Sequence, residues 1–260
     1  MKKSLLPVLE SIYKTFNKKK FLSPDPLQFL DPYVDKRDIE IAGFIAASFA
    51  LGNVRGIIGI VGKILSIMKK PCAFLTKNSE EEIKEKVFGL KYRFYKSCDI
   101  ANFLIIIKQC ISKFGSLEKC FVGGYREKDI TVLPALINFH RKLTPSGRCI
   151  ILPDPKKGSA CKRFNLFLRW MIRNDCIDPG IWRSIPASKL IIPLDTHMLK
   201  ISNMLDFTSS DSANMKNALR ITAAFRDINP LDPVKYDFSL TRAGIHPDLS
   251  YEDIHKKFVE

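Results

Sequence analysis

The fold is indicated most clearly by residues 38–65, DIEIAGFIAASFALGNVRGIIGIVGKIL. Apolar side chains recur three or four positions apart on both sides of Leu51-Gly52-Asn53, as they do on one face of an α-helix. Glycine and asparagine favour turns. The stretch therefore predicts two helices joined by a tight turn.

Helical spacing continues through the rest of the chain. Ser79 followed by Glu82 forms a capping box, which predicts a helix from that point to about Val87. Other helices are predicted at 99–114, 133–142, 159–173, 196–205, 211–227 and 237–243. No alternating run is long enough for a strand of a sheet, and no repeat or low-complexity linker divides the chain. The sequence predicts an all-α fold.

The charge of the chain indicates an anionic partner. Forty-two Lys and Arg residues against twenty-seven Asp and Glu residues leave a net charge of +15. Nucleic acid is the leading candidate, and an anionic membrane surface is the alternative. A membrane-spanning helix is not expected, because Arg55, Lys63 and several glycines interrupt the most apolar region.

Cysteine and histidine usage argues against a disulfide framework and a metal site. The seven cysteines are odd in number and never form a C-x-x-C pair, and the four histidines are dispersed. We expect reduced thiols in a cytoplasmic protein. Pro7 and Glu10 break the short apolar run after Lys2 and Lys3, so export is not expected either.

The segment Gly158-Ser159-Ala160-Cys161-Lys162-Arg163-Phe164-Asn165 begins one of the predicted helices. A helix N-terminus binds phosphate well, and Lys156, Lys157, Gly158 and Ser159 would assist. The apolar residues of the helix, from Phe164 to Met171, form one stripe. Basic residues lie on its other faces, and we predict that three of them contact DNA: Arg163, Arg169 and Arg173. The alternative is a solvated basic face.

Lys162 stands out from these basic residues because it occupies the first helical turn. Nearby cations, desolvation and the helix dipole all favour the neutral, nucleophilic form of an amine in such a place. Trp170 and Trp182 are candidates for stacking on an extruded base, with burial in the core as the alternative.

The segment Pro193-Leu194-Asp195-Thr196-His197 indicates an extended approach to a helix capped by Asp195. Capping alone would explain this residue. A cap carboxylate that backbone donors hold rigid and ionised also suits the stabilisation of an oxocarbenium-like centre. His197 is a candidate phosphate contact, with simple packing or solvation as the alternative.

These two segments resemble the helix-hairpin-helix DNA glycosylase superfamily, which contains the endonuclease III, adenine glycosylase and 8-oxoguanine glycosylase branches. One branch has the hairpin LPGVGRKTAN with the catalytic lysine, followed by the aspartate motif VDTH. Here Leu152-Pro153 precedes Lys162-Arg163-Phe164-Asn165, and Leu194-Asp195-Thr196-His197 follows. The likeness is closest to an uncharacterised bacterial family that carries the same two motifs.

Two weaker similarities extend the resemblance to about residues 38–245. Residues 38–65 are similar to the opening helices of that superfamily, whose turn presents a polar residue to the duplex, here Asn53. Residues 236–244 are similar to its late helix with a Leu-x-x-x-Gly ending. In contrast, the compact G-x-G of the usual hairpin is replaced by residues 154–159, and no cysteine follows Cys176, so no iron–sulfur cluster is expected.

The resemblance implies two helical lobes, residues 36–175 with Lys162 and residues 1–35 plus 176–260 with Asp195, which meet across a cleft. It implies a monomeric, nucleoid-associated DNA repair glycosylase with AP-lyase activity on double-stranded DNA, with Lys162 and Asp195 as catalytic residues and no cofactor. The interval between these two residues is longer than in the endonuclease III branch and closer to that of the archaeal 8-oxoguanine glycosylases, which favours an oxidised purine. The alternatives are a non-catalytic DNA-binding protein of the same fold and a structured-RNA binder.

Overall fold

A computed structural model describes residues 5–145, 147 and 149–242, and this part of the chain is all-helical, as predicted. Only isolated bridges, and no strand, occur in these ranges. Short 3-10 helices lie at Lys19–Phe21, Pro26–Leu30, Pro155–Lys157 and Ala187–Lys189. The α-helices are α1 (Leu6–Phe16), α2 (Lys36–Ser48), α3 (Val54–Met68), α4 (Pro71–Lys77), α5 (Glu80–Lys86), α6 (Ser97–Phe114), α7 (Leu117–Val122), α8 (Leu133–Leu143), α9 (Lys162–Ile172), α10 (Thr196–Met204), α11 (Met215–Ile228) and α12 (Asp237–Thr241).

The chain divides into two compact units. The terminal unit comprises Met1–Pro24, Asp129–Val132 and Pro155–Glu260, and the central unit comprises Asp25–Lys128 and Leu133–Asp154. These bounds differ from the predicted lobes. Lys162 and Asp195 belong to the same unit, because α9 pairs with acidic residues from the C-terminal part of the chain, Asp232 and Asp237 among them.

The central unit is built around α2. This helix is buried from Glu40 to Ser48, and the ring of Phe44 packs against Phe103 of α6 and Phe139 of α8. The predicted turn between α2 and α3 is confirmed, as is the capping box at Ser79. Turn residues thus set the helix boundaries, and apolar burial sets the packing.

The terminal unit is built around α9, which is buried at every position from Phe164 to Ile172. The helix begins at Lys162 rather than at Ser159, because the backbone of Gly158 and of Cys161 is left-handed, with φ of 77° and 49°. Helix α11 begins at Met215 rather than at residue 211, because Asn214 caps it. Helix α12 packs against α1 and α10, which brings the first helix of this unit beside two of its later helices.

Two further predictions concern the end of the last described helix and the absence of a membrane-spanning helix. Helix α12 ends at Thr241, and the glycine of the Leu-x-x-x-Gly ending, Gly244, lies outside the described residues. Within the described ranges, no helix has the length and apolar character needed to cross a bilayer.

Candidate active site

Lys162 is the first residue of α9, and the turn before it is held by side chains on both sides. The Asn165 side-chain amide donates a hydrogen bond to the Ala160 carbonyl at 3.0 Å, and the Asn165 backbone N–H donates to the Cys161 carbonyl at 3.0 Å. The Cys161 N–H donates to Ser159 Oγ at 3.3 Å. Cys161 is buried and has a left-handed backbone conformation that favours glycine, so these hydrogen bonds offset a local strain. They also fix the point at which α9 begins.

Asp195 is positioned by a buried extended segment. Residues 190–194 are buried, and the Ile192 N–H donates to the Thr222 hydroxyl of α11 at 3.0 Å. Asp195 then caps α10, as predicted: its Oδ1 accepts hydrogen bonds from the N–H groups of His197 and Met198, both at 3.0 Å. Both bonds go to one oxygen of the carboxylate.

The second oxygen of Asp195 faces Lys162. Lys162 Nζ lies 3.7 Å from Asp195 Oδ2, and the two side chains are 29% and 24% exposed. An amine and a carboxylate from segments far apart in sequence therefore share one partly open site. An amine can attack an electrophilic carbon in such a place, and the adjacent carboxylate can stabilise a developing positive charge.

A basic, exposed turn precedes Lys162. Lys156 and Lys157 end a 3-10 helix and are exposed, as are Gly158 and Ser159. The Gly158 carbonyl accepts a hydrogen bond from the Met215 N–H at 2.9 Å, which ties this turn to the start of α11. The predicted phosphate-binding residues of this turn are thus accessible at the N-terminus of α9, while Arg163 and His197 are half-buried.

The prediction that Arg169 and Arg173 contact DNA is wrong. Both side chains are buried, at 3% and 4% exposure, and both are paired with carboxylates. Arg169 pairs with Asp178 and Asp237, and Arg173 pairs with Asp175, Asp178 and Asp232. The partners come from other segments of the terminal unit, so the apparent cationic face of α9 is an internal ion-pair network.

This network carries four carboxylates for two guanidinium groups, and its pKa values reflect the excess. Burial raises the pKa of Asp237 to about 6, although Arg169 opposes the effect, and the like charges of Asp195 and Asp178 add to the rise. Burial would also raise the pKa of Asp175, but Arg173 and two backbone N–H groups hold it at about 2. The carboxylates of the network therefore differ in the pH at which they take up a proton: Asp237 does so near pH 6, and Asp175 does so near pH 2.

The two tryptophans occupy the core rather than a base-stacking position. Trp170 and Trp182 are 0% and 1% exposed, and the ring of Trp182 packs edge-on against Phe167 with centroids 5.3 Å apart. Neither can stack on a base without unfolding of the core around it. The alternative interpretation, that these residues are structural, is the correct one.

Asn53 lies in the central unit and caps α3. Its Oδ1 accepts a hydrogen bond from the Gly56 N–H at 2.8 Å, and the residue is exposed. The turn that carries it packs against a second turn, since the Tyr92 hydroxyl donates to the Leu51 carbonyl at 2.6 Å.

Two exposed residues of that second turn were missed by sequence analysis. Arg93 has a left-handed backbone, with φ of 53°, and Phe94 is 56% exposed. Gly52 in the facing turn has φ of 107°, a backbone conformation that other residues rarely adopt, so glycine is favoured at this position. The alternation of basic and aromatic residues in Lys91–Lys96 was the available signal.

Within residues 5–145, 147 and 149–242, no group of three His, Cys, Asp or Glu side chains is arranged to hold a metal ion. None of the seven cysteines, all of which are described, forms a disulfide, and Cys161 beside Lys162 is buried.

Comparison with known protein families shows which family the chain belongs to and provides no information about its activity. The model of a family described as "Protein of unknown function (DUF2400)" matches residues 25–246. No curated protein and no solved structure matches the chain. Since the match spans most of the sequence and includes both Lys162 and Asp195, the chain belongs to the DUF2400 family.

Proposed function

We propose that this protein is a DNA repair glycosylase with AP-lyase activity, in which Lys162 is the nucleophile and Asp195 stabilises positive charge. The observation that carries the proposal is the 3.7 Å approach of Lys162 Nζ to Asp195 Oδ2 at a partly exposed position. Asp195 keeps this oxygen available because its other oxygen accepts the capping bonds of α10. The net charge of +15 supports a polyanionic substrate.

The reaction begins with attack of the neutral Lys162 amine on the sugar C1′. The bond from C1′ to the base breaks, the base leaves with the bonding electrons and takes up a proton, and the amine loses a proton. Opening of the sugar ring then gives a Schiff base between Lys162 and C1′. Removal of a proton from C2′ expels the 3′ phosphate, which cleaves the strand. Asp195 stabilises the cationic character at C1′ during the first step.

Two surfaces are proposed to hold the DNA, one on each unit. On the terminal unit, the exposed turn formed by residues 156–159 (Lys156, Lys157, Gly158 and Ser159) binds phosphate beside the start of α9, as part of a helix-hairpin-helix-like element. Arg163, in the first turn of α9, and His197, in the first turn of α10, are further proposed phosphate contacts. On the central unit, Asn53 and the adjoining Arg93 and Phe94 form an exposed basic and aromatic surface. An oxidised purine such as 8-oxoguanine is the proposed base, flipped out of the duplex for attack.

A non-catalytic DNA-binding protein of the same fold is the second candidate. One observation favours it: the capping bonds of Asp195 already give this residue a complete structural role. In that case the lysine would contact only phosphate and would form no covalent bond with the sugar. The two candidates therefore differ in whether an adduct with DNA can be trapped.

The test is reduction with borohydride during incubation with duplexes that carry an abasic site or 8-oxoguanine. Borohydride delivers hydride to the Schiff-base carbon and leaves a stable amine between protein and DNA. We expect an adduct with the wild-type protein, none with Lys162→Gln, and an undiminished adduct with the matched control Lys86→Gln, which changes an exposed lysine of α5 outside the proposed DNA-binding surfaces. Absence of the wild-type adduct, or its persistence in Lys162→Gln, would overturn the lyase proposal. A panel of single-lesion duplexes then identifies the base, and competition by duplex RNA tests an RNA-binding role.

A further inference from the structure

A cavity of about 490 Å³ lies along one face of helix α10, within the terminal unit. Its helical lining comes from positions 196, 199, 200, 203 and 204, a spacing that places the side chains on one side of the helix over about 12 Å of its length. The loop between α10 and α11 supplies the facing wall. The residues that line this α10 cavity are Thr196, Leu199, Lys200, Asn203, Met204 and Asp211.

Both walls of the α10 cavity connect to the candidate pair. Thr196, at one end of the helical wall, is bonded to Asp195 and begins α10. The loop that forms the other wall ends at Asn214, whose backbone forms a bridge with Ser159, three residues before Lys162. The cavity therefore starts beside the carboxylate of the pair, and its second wall is tied to the turn that leads to the amine.

The loop wall is held in place by hydrogen bonds from both neighbouring helices. Asn217 of α11 donates from its side-chain amide to Ser210 Oγ and to the Ser212 carbonyl, both at 2.7 Å. Asn203 Nδ2, near the end of α10, donates to the Ser210 carbonyl at 3.2 Å. These bonds fix the loop relative to α10, so the position of Asp211 in the cavity wall is set by the fold.

The lining combines apolar surface with one acidic and one basic side chain. Leu199 and Met204 provide apolar contact, and the thioether of methionine packs favourably against aromatic rings. Asp211 and Lys200 are exposed at the cavity, where the carboxylate only accepts hydrogen bonds and the ammonium only donates them. A flat ring that carries both N–H groups and a carbonyl oxygen satisfies this combination.

We propose that the α10 cavity receives the extruded base and that Asp211 selects a base of the guanine type. This inference rests on the proposed function, because a base enters the protein only if it is extruded for removal. A base whose sugar C1′ lies at Lys162 and Asp195 can enter the cavity at its Thr196 end.

The selection follows from the edge that each base presents. Guanine and its oxidised forms carry a ring N–H and an amino group side by side, so one carboxylate accepts hydrogen bonds from both, and a carbonyl oxygen follows for Lys200. Adenine and cytosine carry a ring acceptor beside the amino group, and thymine has no amino group. Asp211 therefore pairs fully with a guanine-type edge alone.

The test compares two bases that differ only in the amino group, 8-oxoguanine and 8-oxohypoxanthine, each in a duplex of the same sequence. Single-turnover excision is measured for the wild type, Asp211→Asn and the control Asp227→Asn, which changes an exposed aspartate of α11 outside the cavity lining. Borohydride trapping on an abasic duplex is measured in parallel, because an abasic site has no base for the cavity to hold.

We expect the wild type and Asp227→Asn to excise 8-oxoguanine about tenfold faster than 8-oxohypoxanthine, since a hydrogen bond to a charged group is lost with the amino group. Asp211→Asn should excise 8-oxoguanine about tenfold more slowly than the wild type, and its preference between the two bases should disappear. Its trapping rate on the abasic duplex should equal that of the wild type. A purely structural role of Asp211 would lower all three rates together and leave the preference in place.

The failures of the two proposals are distinguishable. If the wild type forms no adduct with the abasic duplex, the proposed function fails and the base-binding role of the cavity falls with it. The base-binding role alone is overturned by a wild type that forms the adduct but leaves 8-oxoguanine in place or excises both bases equally. It is also overturned if Asp211→Asn keeps the wild-type preference.

Discussion

The two ends of helix α9, the outer end at Lys162 and the inner end from Arg169 to the capping residue Arg173, carry the same kind of charge and are built differently. At the outer end, Lys162 has one carboxylate partner at 3.7 Å, and both side chains are about a quarter exposed. At the inner end, Arg169 and Arg173 are buried, and four carboxylates surround them. The outer cation is thus available to a substrate, and the inner cations are fully engaged in holding the fold.

The number of carboxylate partners and the degree of burial thus separate the roles of these basic residues. A buried guanidinium needs its carboxylates, because an unpaired charge in the interior is costly. A partly exposed ammonium loses little when its partner is lost, because water replaces the carboxylate. Chemistry is therefore expected at the outer end of α9, and a contribution to stability is expected at the inner end.

The largest expected effect separates the two ends by stability. Arg169→Met leaves Asp237 and part of the charge of Asp178 unpaired in the interior, so we expect the free energy of unfolding to fall by about 3–5 kcal/mol. Lys162→Met should lower it by less than about 1 kcal/mol. Urea denaturation followed by circular dichroism measures both. Equal decreases in the free energy of unfolding of the two variants would show that the two ends do not differ in their contribution to stability.

The next largest effect concerns the contribution of the inner end to stability at low pH. The pKa of Asp175 is about 2 in the folded protein and near the ordinary value of about 4 when unfolded. Its contribution to stability, about 2 kcal/mol, is therefore complete above about pH 4 and is lost as the pH falls toward 2. The free energy of unfolding of Asp175→Asn, measured across this range, should fall less than that of the wild type. Parallel curves would show that Asp175 does not contribute.

A smaller effect on stability divides the two roles of Asp195. Asparagine caps a helix about as well as aspartate, so Asp195→Asn should keep its stability, while Asp195→Ala should lose about 1 kcal/mol. Both variants lack the carboxylate and should lose excision of the base. Thermal unfolding and single-turnover excision are the measurements. Excision that survives in Asp195→Asn would remove this carboxylate from the mechanism.

The smallest expected effect on stability belongs to the exposed turn. The double variant Lys156→Ala and Lys157→Ala should unfold within about 0.5 kcal/mol of the wild type. Its affinity for duplex DNA should fall, and the dependence of that affinity on salt should weaken by about one unit of slope for each lysine that contacts phosphate. Binding titrations over a salt series check this. An unchanged slope would move the phosphate contacts away from this turn.

Local signals in the sequence predicted much of the fold and one half of the candidate site. Gly52 and Asn53 marked the break between α2 and α3, Ser79 with Glu82 marked the start of α5, and Asp195 marked the start of α10. Each of these boundaries depends on residues within a few positions of one another. Such signals can be interpreted without knowledge of tertiary contacts.

The inner network could not be predicted in this way. Arg169 finds Asp237 across an interval of 68 residues, and Arg173 finds Asp232 across 59 residues, so neither partner is visible in the helical pattern. Basic residues on a helix are usually solvated, and only tertiary packing places these two in the interior. For the same reason the sequence alone leaves base stacking open for the two tryptophans, whose burial makes them part of the core.

The most direct test of the account is to locate the trapped adduct by peptide mass spectrometry. The wild-type protein is reduced with borohydride in the presence of an abasic duplex, and the cross-linked peptide is sequenced after proteolysis and nuclease digestion. The proposed mechanism predicts that the sugar remnant is attached to Lys162. Attachment to Lys156 or Lys157, or the absence of any attached remnant, would contradict it.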